Sequence, residues 1–142
     1  MTSAGTGQAG EPEPTADAVE LVIPSDLVVL ARLTASTVAS TANFDVEEIE
    51  DLRLAVDELC IMTVGEQTGG RLALRFSLDD DVLEVSCTYL AGSIGGVEAA
   101  PASAGEGLSE LIIDALVDDH GSEEEGGVQR AWLRKRRTRQ EV

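Results

Sequence analysis

Aromatic residues are scarce in this chain, with one Trp, one Tyr and two Phe among 142 residues. Single-stranded nucleic acid held by stacking bases on aromatic platforms is therefore not expected. No apolar run approaches the 18 residues that a membrane-spanning helix needs, so no membrane partner is expected. Basic groups are few: 10 against 27 acidic ones, a net charge of −17, which also argues against direct contact with nucleic acid. Cysteine is limited to Cys60 and Cys87, neither in a CxxC or Cys/His ligand spacing. No metal site is expected from them, and both read as buried, reduced thiols. The opening MTSAGTGQAGEPEPTADA lacks the basic start and apolar stretch of a signal peptide, so a cytoplasmic location is expected.

What is present suits one soluble domain with tails: 43% of the residues are hydrophobic and the length falls in the single-domain range. The charge is uneven. Arg130, Arg134, Lys135, Arg136, Arg137 and Arg139 supply six of the ten basic groups, so residues 1–129 hold 26 acidic against 4 basic groups, a net of −22. Such a body repels polyanions and attracts basic partners, although charge that merely keeps the protein soluble reads the same way.

Residues 1–17 have no hydrophobic period and read as a disordered tail; the domain is expected over 18–136 and a basic tail over 137–142. Val19, Leu21 and Ile23, closed by Pro24, fit a short edge strand. Ser25 is placed to cap a helix in which Leu27, Leu30, Leu33 or Thr34, and Val38 recur at helical spacing. Asp45-Val46-Glu47-Glu48 is an acidic capping box, and Ile49, Leu52, Val56, Leu59 and Thr63 then form one buried stripe. Alternation over 71–78 and 82–89 around Asp79-Asp80-Asp81 predicts a β-hairpin. Residues 91–107 are small and glycine-rich and read as a long flexible segment of the kind that is usually either functional or disordered. Leu108, Leu111, Ile112, Ala115 and Leu116 predict a third helix, 118–127 an acidic connection, and 128–134 a last strand with Ala131 and Leu133 on one face. His120 is expected at the surface, and Trp132 packed across the sheet. Helices gathered on one face of a mixed or antiparallel sheet bury these stripes most simply, giving an α+β two-layer sandwich.

The segment Asp51-Leu-Arg-Leu-Ala-Val-Asp-Glu-Leu-Cys60, with an amphipathic helix before it and a hairpin and glycine-rich segment after it, resembles the RsbW-type anti-sigma factors. These are bacterial serine-protein kinases of the GHKL (Bergerat, histidine-kinase-like ATPase) fold, and the resemblance covers about residues 18–136. High Ala, Gly and Arg with a single lysine looks actinobacterial. The resemblance implies that Glu58 is the general base toward a protein-serine hydroxyl, and that a metal- and phosphate-binding Asn belongs four residues on. That position is Met62, whose thioether is a poor ligand for Mg²⁺. The family's Asp-x-Gly, which meets adenine, falls at Tyr89-Leu90-Ala91, so its carboxylate and glycine are both missing. Gly105-Glu106-Gly107-Leu108 resembles the family's Gly-x-Gly hinge, where backbone N–H groups receive phosphate.

With two of three nucleotide determinants lost, the expectation is an anti-sigma factor that sequesters a sigma subunit, is released by an anti-anti-sigma partner of the STAS type, and binds ATP and Mg²⁺ weakly or not at all. The resemblance leaves a homodimer open. An active ATP-dependent serine-protein kinase is the competing expectation, and an acidic module unrelated to sigma factors the third.

Overall fold

The computed structural model describes residues 18–92 and 106–138. The elements run β1 (Ala18–Pro24), α1 (Val28–Thr41), α2 (Val46–Val64), β2 (Arg71–Asp79), β3 (Val82–Leu90), α3 (Glu106–Leu116), β4 (Asp119–Glu125) and β5 (Val128–Arg136). The five strands form one antiparallel sheet in the order β1-β2-β3-β5-β4, with the helices packed on it, α2 lying between α1 and α3. This is the expected α+β two-layer architecture, with an antiparallel sheet.

The sheet's inner face is built by strict alternation. Leu72, Leu74 and Phe76 of β2, Leu83, Val85, Cys87 and Tyr89 of β3, and Ala131 and Leu133 of β5 are buried, while the intervening residues face away from the helices. Onto it α2 lays Leu52, Ala55, Val56, Leu59, Cys60 and Thr63, the stripe read from its 3–4 spacing. Its start is the capping box: Asp45 accepts from the Glu48 backbone N–H at 2.8 Å, and Glu48 accepts in return from that of Asp45 at 2.8 Å.

Four local expectations are corrected. Ser25 does not cap α1, whose N-cap is Leu27; its hydroxyl donates to the Gly69 carbonyl at 2.8 Å and its N–H to Gly70, which locks the β1–α1 corner to the α2–β2 turn. That lock sets the phase of α1, so the helix buries Ala31, Ala35 and Ala39 and turns Leu27, Leu30 and Leu33 outward, Leu33 being 55% exposed. Alanine lets α1 approach closely, and the Arg32 guanidinium holds it to α2 through both oxygens of Asp57 at 3.1 and 3.3 Å. On α3 the phase is also shifted: Ser109 and Ile113 are buried, whereas Leu108 and Leu111 are 64% and 69% exposed. The acidic connection contains a strand, β4, because Glu123 and Asp119 stand opposite Arg130 and Arg134 of β5 and pair with them at 3.0 Å.

The far end of β5 closes the start of α2. The Thr138 N–H donates to Glu48 at 2.7 Å, and Arg137 donates to the Ala42 carbonyl at 2.8 Å and to the Asp81 carboxylate. The expected basic tail at 137–142 thus begins with two residues that are hydrogen-bonded into the domain. Burial works against ionisation of Glu48, but hydrogen bonds from Asp45 and Thr138 and the Lys135 ammonium outweigh it and hold its pKa below the usual carboxylate range.

Two outcomes follow for stability. Leu33→Glu should leave the urea midpoint nearly unchanged, while Ala35→Leu, forced into the α1–sheet contact, should cost about 1–3 kcal/mol. A folded pKa below the unfolded one means that the stabilisation from Glu48 is complete above the ordinary Glu value of about 4.3 and is lost as pH falls through the folded value. Glu48→Gln should therefore be less stable at pH 7 by about 1–3 kcal/mol, and the gap to the native protein should close on acidification. Denaturation of both proteins at several pH values checks this.

Candidate functional site

The rotation of α2 on the sheet decides where its acids point. Successive helical residues are about 100° apart, so with Val56 and Leu59 buried, Asp57 turns toward α1 and Glu58 toward α3. Asp57 is spent on Arg32. Glu58 is half-buried, and its Oε1 accepts a hydrogen bond from the Ser109 hydroxyl of α3 at 2.8 Å. Ser109 is only 5% exposed. A carboxylate within 2.6–3.2 Å of a hydroxyl has the geometry of general-base catalysis, but here the hydroxyl belongs to the same chain.

The other positions singled out by the sequence are not assembled into a nucleotide cradle by the described residues. Met62, one turn beyond Glu58, packs its thioether against the core and brings no oxygen ligand. Tyr89 is buried; its hydroxyl donates to the Gly69 carbonyl at 2.8 Å, with the Thr68 carbonyl at 3.3 Å. It seals the α2–β2 turn against β3, and Gly70, at φ +76°, is required there because a Cβ would lie 2.6 Å from the tyrosine oxygen. Gly107 opens α3 with open space around it, so no close approach demands a glycine. Gly105 lies outside the described residues, as do 93–104 of the glycine-rich segment. The residues present do not fit Mg-nucleotide in the family's manner: a thioether stands for the amide, a phenol committed to a backbone carbonyl stands for the carboxylate, and Glu58 is engaged.

Ser109 was not singled out by its sequence, since a serine in an amphipathic helix carries no signal until the helix phase places it against Glu58. The cysteines meet across the α2–β3 contact: hydrogen bonding from Cys87, together with burial, pushes the Cys60 thiol far above its usual range, so it stays protonated and unreactive. His120 is hydrogen-bonded to Asp114 at 3.0 Å, joining β4 to α3. Trp132 lies on the face of the sheet away from the helices, with the Arg134 guanidinium 4.5 Å from its ring centre and Gly121 making room for it. On that face a depression of about 240 Å³ is lined by Val22, Ala73, Ser86 and Thr88, far from Glu58. Among the described residues no group of three or more His, Cys, Asp or Glu side chains could hold a metal, and no helix is long and apolar enough to cross a membrane.

No model of a protein family matches the sequence. Curated relatives do. The chain is 40% identical over 76 residues to the serine-protein kinase RsbW of Bacillus subtilis (strain 168), an alignment covering 49% of this chain and 48% of that protein. It is 32% identical over 122 residues to the RsbW of Listeria innocua serovar 6a, covering 72% of this chain and 77% of the relative. The chain thus spans about half the length of some relatives it matches and more than three quarters of others. Among solved structures, the RsbU and RsbW domains of a Mycobacterium tuberculosis protein superpose with a TM-score of 0.66 at 16% identity, over 87% of this chain and 33% of that one, which establishes the shared fold.

Tyr89 is expected to behave as a structural residue. Tyr89→Phe should cost about 1 kcal/mol, because Gly69 keeps its hydrogen bond from Ser25. Tyr89→Asp, which aims a buried carboxylate at backbone carbonyls, should cost about 3–5 kcal/mol in the same denaturation measurement.

Proposed function

Because the chain belongs to the RsbW family of serine-protein kinases, we propose that it acts as an anti-sigma factor, a protein-binding module that sequesters an RNA polymerase sigma subunit in the cytoplasm and is released by an anti-anti-sigma partner of the STAS type. In this reading nucleotide binding is weak or lost. The observation that supports it is the use made of two positions to which the resemblance assigns nucleotide-binding oxygens: Met62 packs against the core and Tyr89 closes a turn.

The charge supports a basic partner. Glu47, Glu50, Glu110 and Asp114 are exposed on α2 and α3, and sigma subunits bear basic DNA-reading surfaces, so the acidic helix layer would speed encounter and compete with DNA. A homodimer draws on a different face. The only charged side chain of α1 is Arg32, tied to Asp57, while the Thr34, Thr37 and Thr41 hydroxyls donate to carbonyls one turn back and leave their methyl groups outward beside Leu30 and Leu33. In a chain of net charge −17, that uncharged face is where two copies could meet with least repulsion.

The competing reading, an active kinase, is supported by the 2.8 Å approach of a serine hydroxyl to Glu58. Equilibrium binding separates the two. The host's sigma subunit should bind without nucleotide, with an association rate that falls clearly between low salt and about 0.15 M, where the Debye length is about 8 Å. Micromolar MgATP binding, with phosphate transferred to a STAS-domain protein and abolished by Glu58→Ala, would establish the kinase instead.

A further inference from the structure

We propose that Ser109 is a built-in occupant of the Glu58 site: its hydroxyl donates, from within the chain, the hydrogen bond that Glu58 would otherwise accept from an incoming serine hydroxyl, and so fastens α3 to α2 without a ligand. The inference rests on the reading of Glu58 as the family's base position, but the bond itself is independent of sigma binding.

The two ends of α3 are held by different means. Toward its C-terminus, Ile113 is fully buried in the core, Asp114 meets His120 at 3.0 Å, and the Lys135 ammonium donates to the Leu116 carbonyl at 2.8 Å. At its first turn the neighbouring Leu108 and Leu111 face outward, and Ser109 is the buried side chain that reaches α2. The Ser109 hydroxyl proton is committed to Glu58 Oε1, so an incoming hydroxyl meets a carboxyl group with one of its acceptor directions already filled. The partners are 51 residues apart in sequence, so the bond closes the helix layer rather than a local turn. A tethered hydroxyl also competes at the effective concentration of an intramolecular group, which a free partner must exceed. Ser109 therefore acts as a positioning residue: it keeps the α2–α3 contact in place and Glu58 covered.

Two readouts on the full chain test this. The first is hydrogen exchange of α3 amides in the protein without ligand. Ser109→Ala should raise exchange in the first turn by on the order of tenfold, the scale of one charge-assisted hydrogen bond, and leave residues 113–116 unchanged. Ser109→Thr, which keeps the hydroxyl, should restore protection, and Ser109→Ala combined with Glu58→Gln should exchange no faster than the faster single variant. The second is carboxyl labelling with a water-soluble carbodiimide and glycine ethyl ester, quantified by mass spectrometry with Asp57 as internal reference. Labelling of Glu58 relative to Asp57 should rise several-fold in Ser109→Ala and return in Ser109→Thr. Unchanged exchange and labelling in Ser109→Ala, or additive effects in the double variant, would overturn the proposal. A chain that fails to bind sigma yet shows these shifts would refute the anti-sigma reading and leave the occupied site standing.

Discussion

The angle at which α2 sits about its own axis is the constraint on which the helix layer depends. Six side chains from Leu52 to Thr63 are buried against the sheet, and rotating the helix by even one residue would bring Asp57 or Glu58 into that apolar contact, at a cost of several kcal/mol for an unpaired buried charge. The rotation being set, Asp57 takes Arg32 and positions α1, and Glu58 takes Ser109 and positions α3. The capping box at Asp45 and Glu48 fixes where the helix begins, and the same Glu48 receives the end of β5. One helix thus connects both neighbours and the last strand.

The basic groups near the C-terminus are largely neutralised within the fold. Arg130 meets Glu123, Arg134 lies between Asp119 and Glu84, Lys135 reaches Asp51, and Arg137 reaches Asp81. Pairs of this exposure add little stability individually. Their larger effect is on the distribution of charge: β5 offsets part of the acidity of β4, and exposed acids remain on the outward faces of α2 and α3. The face of α1 is different, with no free charge and its threonine hydroxyls turned back onto the helix. The helix layer therefore offers two chemically distinct surfaces, one suited to a basic partner and one to an uncharged one.

Between these surfaces lies the Glu58 side chain of α2, hydrogen-bonded to Ser109. In the nucleotide positions implied by the resemblance, Met62 contributes packing and Tyr89 closes a turn over Gly70. The Met62 thioether needs no polar partner, and the Tyr89 phenol finds one in the Gly69 carbonyl. Glu58 is hydrogen-bonded by Ser109. Among these described positions the polar groups are satisfied without a nucleotide, which agrees with a module that holds its shape alone.

The sequence by itself determined the elements whose residues carry a complete local pattern. The capping box at 45–48, the α2 stripe and the β2–β3 hairpin were legible because spacing and burial coincide there, and the LRLAVDELC segment made the resemblance to the family readable. Only the tertiary structure decided the rest. The leucines of α1 obey helical spacing but lie outside, since the Ser25–Gly69 lock fixes the helix phase and brings alanines inward. Strand β4 was invisible because its acidic residues have no hydrophobic alternation and pair with arginines that follow them in β5. The contact of Ser109 with Glu58 was hidden for the same physical reason: which of several similar helix positions faces a carboxylate 51 residues away is set by packing between elements, and a one-dimensional pattern does not contain it.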